Sequence, residues 1–249
     1  MDKAQYAIMY RIEDTHWWYA GMRSITDALL RTCRADRRWG DVLDAGCGTG
    51  GTLCRLPESA RGVGIDFSPD ALELCRERGL TRLARASVEH VPFADSSFDI
   101  VVSSDVVYHT GVSDDVAALR EFCRVLRPGG IAVVRVPAYD WLRSAHDAAV
   151  HTRHRYTRTE LRGKLAAAGF EVVRVTYANS LLFPLALVKR LLEGRLIRAS
   201  SELQSSSWLL QMLGSIALGI EARLVSRADL PWGLSVIDVG RKPARGTGS

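Results

Sequence analysis

Val42-Leu43-Asp44-Ala45-Gly46-Cys47-Gly48-Thr49-Gly50 joins an apolar run to an acid and then to three glycines at alternate positions. The apolar run reads as a buried strand and the glycines as the turn that ends it. A side chain on Gly46, Gly48 or Gly50 would fill space that a ligand needs, so the backbone can approach a ligand closely there. A dinucleotide turn would read G-x-G-x-x-G, with a helix N-terminus aimed at a pyrophosphate. Here the spacing is G-x-G-x-G, with Asp44 two residues ahead. A carboxylate repels a pyrophosphate and suits a ligand that carries an ammonium or a sulfonium. The plainer alternative is a glycine-rich strand-to-helix turn with no ligand.

Working outward, Gly62-Val63-Gly64-Ile65-Asp66-Phe67-Ser68 is a second short strand ending in an acid. An Asp at the tip of the second strand of a βαβ unit is placed to accept both hydroxyls of a ribose. It could equally help cap a helix starting near Pro69, and the two roles are compatible. A third segment runs from Ala86 through Val91-Pro92-Phe93 to Phe98-Asp99, and a fourth strand, Ile100 to Ser104, leads into Asp105-Val106-Val107-Tyr108-His109.

These four segments, in this order and spacing, resemble the class I S-adenosylmethionine-dependent methyltransferases over about residues 41 to 175. The resemblance implies an α/β fold: a Rossmann-like, seven-stranded, mostly parallel sheet with helices on both faces and the last strand antiparallel. It implies S-adenosyl-L-methionine as cofactor and S-adenosyl-L-homocysteine as product. The loop of Asp44, Gly46, Cys47, Gly48 and Gly50 would cradle the methionine and ribose portions, Asp66 would take the ribose hydroxyls, and Phe67 would pack on adenine. Ser87, beside Val88, stands where the family usually has an Asp that bonds the adenine amino group, and a hydroxyl accepts that bond more weakly. Ser104 falls at the end of the fourth strand, and His109 falls where members often have a His facing the transferred methyl group.

With 249 residues, 47% of them hydrophobic, the chain can bury one substantial core, and residues 1–240 read as a single domain ahead of a Gly-rich tail at 241–249. The net charge of +5 is spread without a run of five basic residues, which argues against a nucleic-acid tail. Five cysteines without C-x-x-C spacing suit a reduced, cytoplasmic protein with no zinc site. Met1 to Tyr6 lacks the apolar core of a secretory signal.

Helical periodicity from Arg11 to about Cys33 predicts an N-terminal cover within 1–40. Strand and helix then alternate through the core, 41–177: strands at 41–45, 62–66, 81–86, 98–103 and 131–136, and helices at 50–56, 69–78 and 114–127. A helix at 157–168 precedes a strand at 170–177, and the last strand covers 234–239. Between these two lies an insertion, 178–233, far longer than a hairpin needs. It holds two apolar helical stretches, Leu181 to Leu192 and Leu203 to Val225. Within the second, Ser207 to Ile220, interrupted by Gln211 and Ser215, reads as too short to span a bilayer. It could pack on the sheet edge, cover a greasy substrate, form a homodimer face or make peripheral contact with a membrane.

Methyl transfer from a sulfonium is an in-line displacement that needs positioning and a deprotonated acceptor. A His near neutral pKa is the expected base for a hydroxyl or ammonium acceptor, and His109 is the first candidate, with Tyr108 shaping the pocket. Tyr139, His146, His151, Arg155 and Tyr156 follow the fifth strand as a candidate substrate lip. Their spacing fits no metal signature, and the plainer reading is a solvated basic loop.

Glu13 to Tyr19 is similar to an E-x-x-H-W-W entrance segment of a subset of these methyltransferases, making His16 and Trp17 substrate candidates. Two adjacent Trp on a helix point in different directions, so at most one is core. Arg23, a turn and a half on, could reach the cofactor's carboxylate. The expected function is methylation of a small-molecule acceptor at oxygen, in biosynthesis, with no nucleic acid involved. The alternative is a reaction of the same fold that cyclises the cofactor or a natural product without methylation.

Overall fold

The computed structural model describes residues 3–34, 39–144, 147–148, 150–188 and 208–244. Seven strands form one sheet: β1 Gly40–Ala45, β2 Ala60–Asp66, β3 Leu83–Arg85, β4 Phe98–Ser104, β5 Leu126–Pro137, β6 Glu171–Ala178 and β7 Ser235–Arg241. Their order is β3-β2-β1-β4-β5-β7-β6, and only β7 runs antiparallel to its neighbours. The order reverses between β1 and β4, so a crevice opens beyond the carboxyl ends of these strands. The helices are α1 Lys3–Ile12, α2 Trp17–Cys33, α3 Pro69–Glu77, α4 Asp115–Val125, α5 Arg158–Ala167 and α6 Trp208–Val225.

Local chemistry sets the element ends. Ser68 caps α3 ahead of Pro69, Asp114 caps α4 through Val116 and Ala117, and Thr157 caps α5 through Glu160. Gly169, at φ +93°, lets the chain turn from α5 into β6 without the penalty a Cβ would carry. Both faces of the sheet are covered. Leu43, Val101, Val134 and Val236 meet α4 and α5, while Val42, Ile100, Val133 and Ile237 meet α2 and α6.

Several expectations change. The helix expected at 50–56 is only a 3-10 turn, Leu53–Arg55, because Gly50 at φ +87° and Pro57 leave too short a run between them. The N-terminal cover is two helices, broken where His16 adopts extended geometry and caps α2. In the insertion, residues 183–188 and α6 are helical, and the remainder of the two apolar stretches, at 189–207, lies outside the described residues. The fifth strand starts at Leu126, because Leu126 pairs with Phe98 before a register shift brings Ile131 opposite Ile100. At 18 residues and mean hydropathy 1.3, α6 is long and apolar enough to cross a membrane by length and composition. It instead lies along α2, where Gly21 admits Leu218 and Gly214 admits the Trp17 ring.

Candidate active site

The crevice is lined by acids. Asp44, the last residue but one of β1, lies between Gly64 of β2 and Val102 of β4, is 2% exposed, and its Oδ2 has no hydrogen-bond partner. Burial raises its carboxyl to about 7, helped by Asp66 and Glu13 and opposed by Arg135. Asp66 ends β2 and accepts backbone N–H from Gly48 and Ser68, each at 2.9 Å. Burial raises its pKa and these bonds oppose the rise. An unpartnered buried carboxylate oxygen with two further acids beside it suits a cationic ligand group.

Gly46, Gly48 and Gly50 adopt φ of +85°, +54° and +87°, the left-handed region that favours glycine. A Cβ would also strike the chain itself: Val106 at Gly46, the Met9 methyl at 2.8 Å at Gly48, and Leu80 at Gly50. The glycines therefore serve internal packing as well as any ligand. The Cys47 thiol turns into a small core with Leu53, Leu72 and Cys75, so Cys47 presents its backbone to the turn.

The N-terminal segment is tied onto this loop. Glu13 accepts from the Thr49 hydroxyl and, at 2.9 Å, from Arg78, while Asp14 pairs with Arg78 at 2.6 Å and Arg55 at 3.0 Å. Arg78 also lies 4.5 Å from the Tyr10 ring. These contacts hold α1 over the crevice, with Met9 above Gly48 and Tyr6 beside Asp66, whose charge adds to burial in raising the phenol's pKa. Glu13, Asp14 and Arg78 escaped the sequence reading. Glu13 opens the E-x-x-H-W-W run, which was the one signal available.

Opposite this cover, Asp105 stands at φ +61° after β4 and pairs with buried Arg135 of β5 at 2.5 Å, and the Arg135 guanidinium lies 5.3 Å from the Trp18 ring. His109 is half-buried and stacks on Tyr108 at 4.9 Å. Its backbone N–H donates to the carbonyl of Val106, the residue that fills the space at Gly46, so His109 sits one turn from the residue packed on the glycine loop. Burial lowers its pKa to about 4. Tyr108 is buried, and its phenol is pushed well above the usual range by that burial.

The remaining candidates divide. Ser104 is half-buried at the end of β4, and Phe67, 71% exposed, lies under the Arg85 guanidinium at 5.7 Å. Ser87 accepts from Glu89 N–H at 3.2 Å, and Val88 is buried. Arg23 donates to the Glu13 carbonyl at 3.0 Å, which draws it toward the clasp. Tyr139, at φ +59°, stacks on Tyr177 at 5.2 Å and adjoins Trp141 and Phe183. His151 is exposed at φ +55°, and His146 lies outside the described residues.

Four substrate candidates make contacts within the chain. His16 is buried as the cap of α2, accepting from Trp18 N–H at 3.3 Å. The Trp17 ring meets Gly214 of α6, and the Trp17 backbone N–H donates to the Gln211 side-chain oxygen at 3.1 Å. Arg155 is a buried partner of Asp147 at 2.7 Å and of the Ala138 carbonyl at 3.0 Å. Tyr156 is fully buried and donates to Asp115 at 2.6 Å. Among the described residues no group of His, Cys, Asp and Glu is gathered to hold a metal ion.

Residues 43–134 match the family model for a methyltransferase domain. The seven-stranded, mostly parallel sheet is the Rossmann-like fold of solved S-adenosylmethionine-dependent methyltransferases. Over 170 residues the chain is 31% identical to a probable S-adenosylmethionine-dependent methyltransferase of Mycolicibacterium smegmatis, covering 65% of this chain and 62% of that one. It is 29% identical over 130 residues to a probable tRNA methyltransferase 9B of Mus musculus, covering 51% of this chain and 29% of the relative. The chain thus spans less than two thirds of the length of these relatives. A Haloferax volcanii putative methyltransferase, solved in complex with the Trm112 methyltransferase activator, shares the fold at TM-score 0.62 and 24% identity, over 99% of this chain and 96% of that one.

Proposed function

We propose that this chain methylates an oxygen atom of a small-molecule acceptor, with S-adenosylmethionine as donor and His109 as the base. The observation that carries the donor assignment is the unpartnered Asp44 Oδ2 in an acid-lined crevice behind the glycine loop. Asp44 would hold the ammonium, the backbone of Gly46 to Gly50 would line the methionine and ribose portions, and the free lone pairs of Asp66 would take ribose hydroxyls. Phe67 would lie against the adenine. Bound there, S-adenosylmethionine would supply an electrophilic methyl group. With α1 above the loop, the chain's contribution is to exclude water and fix the direction of approach.

His109 is uncharged at neutral pH, so its imidazole is open to receive the acceptor's proton. A base this weak takes the proton as transfer proceeds rather than beforehand. With the donor kept saturating at every pH, kcat is expected to fall on the acid side around pH 4, where His109 protonates, and not near the ordinary histidine value. His109→Ala is expected to lower kcat by about 100-fold or more while leaving S-adenosylhomocysteine affinity unchanged. Full activity in that variant would remove His109 as base.

Asp44 must be ionised to pair with an ammonium. The affinity for S-adenosylhomocysteine is therefore expected to weaken as pH falls through about 7, approaching tenfold per unit below it. Asp44→Asn should bind weakly with no such slope. A flat profile for the unaltered protein would separate Asp44 from the ammonium.

The reaction is tested with methyl-labelled donor, offered together with either a small-metabolite extract or total tRNA. Label in a small molecule, in step with S-adenosylhomocysteine release, is expected. Label in tRNA would overturn the small-molecule reading, and a new product without S-adenosylhomocysteine would replace methyl transfer by a cyclisation.

A further inference from the structure

On the side of α6 turned away from α2, Leu209, Leu213, Ile216, Ile220 and Leu224 recur every three or four residues and all are exposed. No charged residue occurs from Trp208 to Ile220. The position of this stripe follows from three contacts. Trp18, in the first turn of α2, lies on Arg135 near the carboxyl end of β5; Trp17 meets Gly214; and Gly21 meets Leu218. The two helices therefore run in the same direction, both starting at the edge of the sheet where the crevice opens.

Further down α6, Glu221 accepts the backbone N–H groups of Ser180 at 2.7 Å and Leu181 at 3.2 Å, just after β6. At about 1.5 Å per residue, Trp208 stands on the order of 20 Å along the helix axis from that anchor, beyond the sheet edge. Trp208, Trp141 and Trp232 are 75%, 63% and 50% exposed, and the last two lie in the segments that follow β5 and precede β7 at this same edge. Exposed Leu181 and Leu185 add to the rim. The apolar stripe, the tryptophans and the mouth of the crevice thus share one side of the molecule.

An apolar surface this extended marks an interaction site, and the charges choose the partner. Exposed Arg158, at the start of α5, lies beside Tyr139 and so near Trp141, Arg143 next to it is paired with Asp140 at 3.0 Å, and the chain as a whole carries +5. Two copies of a cationic chain repel, whereas anionic headgroups attract basic residues and tryptophans settle at the headgroup level. We propose that this edge docks on an anionic lipid bilayer, with the outer face of α6 at the boundary between headgroups and acyl chains and the crevice opening beside it. The proposal goes beyond the methyl-transfer reading and is tested apart from it, because vesicle binding is read with no donor present.

The full chain is floated with vesicles of phosphatidylcholine alone and of phosphatidylcholine with roughly 30% phosphatidylglycerol. Binding to the anionic vesicles, weakened by salt, is expected. Leu213→Glu combined with Ile216→Glu should lower it at least tenfold, and Trp208→Ala by less, with S-adenosylhomocysteine affinity and Tm unchanged because these side chains are exposed. Equal binding by the double variant would overturn the proposal. So would failure of the unaltered chain to float with either vesicle. A concentration-dependent dimer that the double variant dissociates, without vesicle binding, would assign the face to a second copy.

Discussion

Asp66→Ala is expected to lower the affinity for S-adenosylhomocysteine by at least about 100-fold in calorimetry, equivalent to roughly 3 kcal/mol. The size reflects two losses at one position. The side chain would supply the acceptors for a ribose, and it also ties the glycine loop to the start of α3 through Gly48 N–H and Ser68 N–H. Hydrogen bonds to a charged acceptor contribute about 1.5–3 kcal/mol each, so losing them also loosens the loop. Asp66→Asn separates the two effects: it keeps one oxygen acceptor and should bind between the two extremes. Unchanged affinity in Asp66→Ala would remove the cofactor assignment.

Asp238→Asn is expected to stabilise the protein at neutral pH by about 3 kcal/mol, or roughly 5–10 °C in Tm for a chain of this size. Asp238 lies in β7 between Val134 of β5 and Val175 of β6, is fully buried, and neither carboxylate oxygen has a hydrogen-bond partner. Burial raises its carboxyl to about 8, with only Arg162 opposing. The folded state therefore holds a proton that the unfolded chain releases near 4, and its stability falls as pH rises across that interval. The advantage of Asn should be absent near pH 4, grow up to about 8, and level off above it. Thermal unfolding of both proteins across this range is the check, and parallel pH curves would contradict it.

Much of the cofactor side was legible because its signals are local. Apolar runs ended by acids and glycines marked β1 and β2, and the structure puts Asp44 and Asp66 at the tips of adjacent strands. The alternation of strand and helix placed six of the first seven core elements to within a few residues. It misjudged 50–56, where periodicity suggested a helix and Gly50 and Pro57 left room for a turn alone. The acceptor side was far less legible. His, Arg and Tyr at 151–156 look alike in a sequence whether they face a substrate or pair internally. Asp115, whose carboxylate takes the Tyr156 hydroxyl, is 41 residues away. Asp105 and Arg135 were unremarkable until β4 and β5 brought them together under Trp18.

By itself, then, the sequence determined the strand order's repeating unit, the glycine turn and the acids on either side of it, because each depends on residues within a few positions of one another. Tertiary structure alone decided which side chains are turned inward. Trp17 became a helix contact because Gln211 and Gly214 meet it, the former from 194 positions away. Asp238 became a buried, unpaired acid because α5 closes over β7. One side of α6 was left in water because α2 takes only the other. Burial is a property of contacts between distant segments, and those contacts exist only once the sheet and its covering helices have assembled.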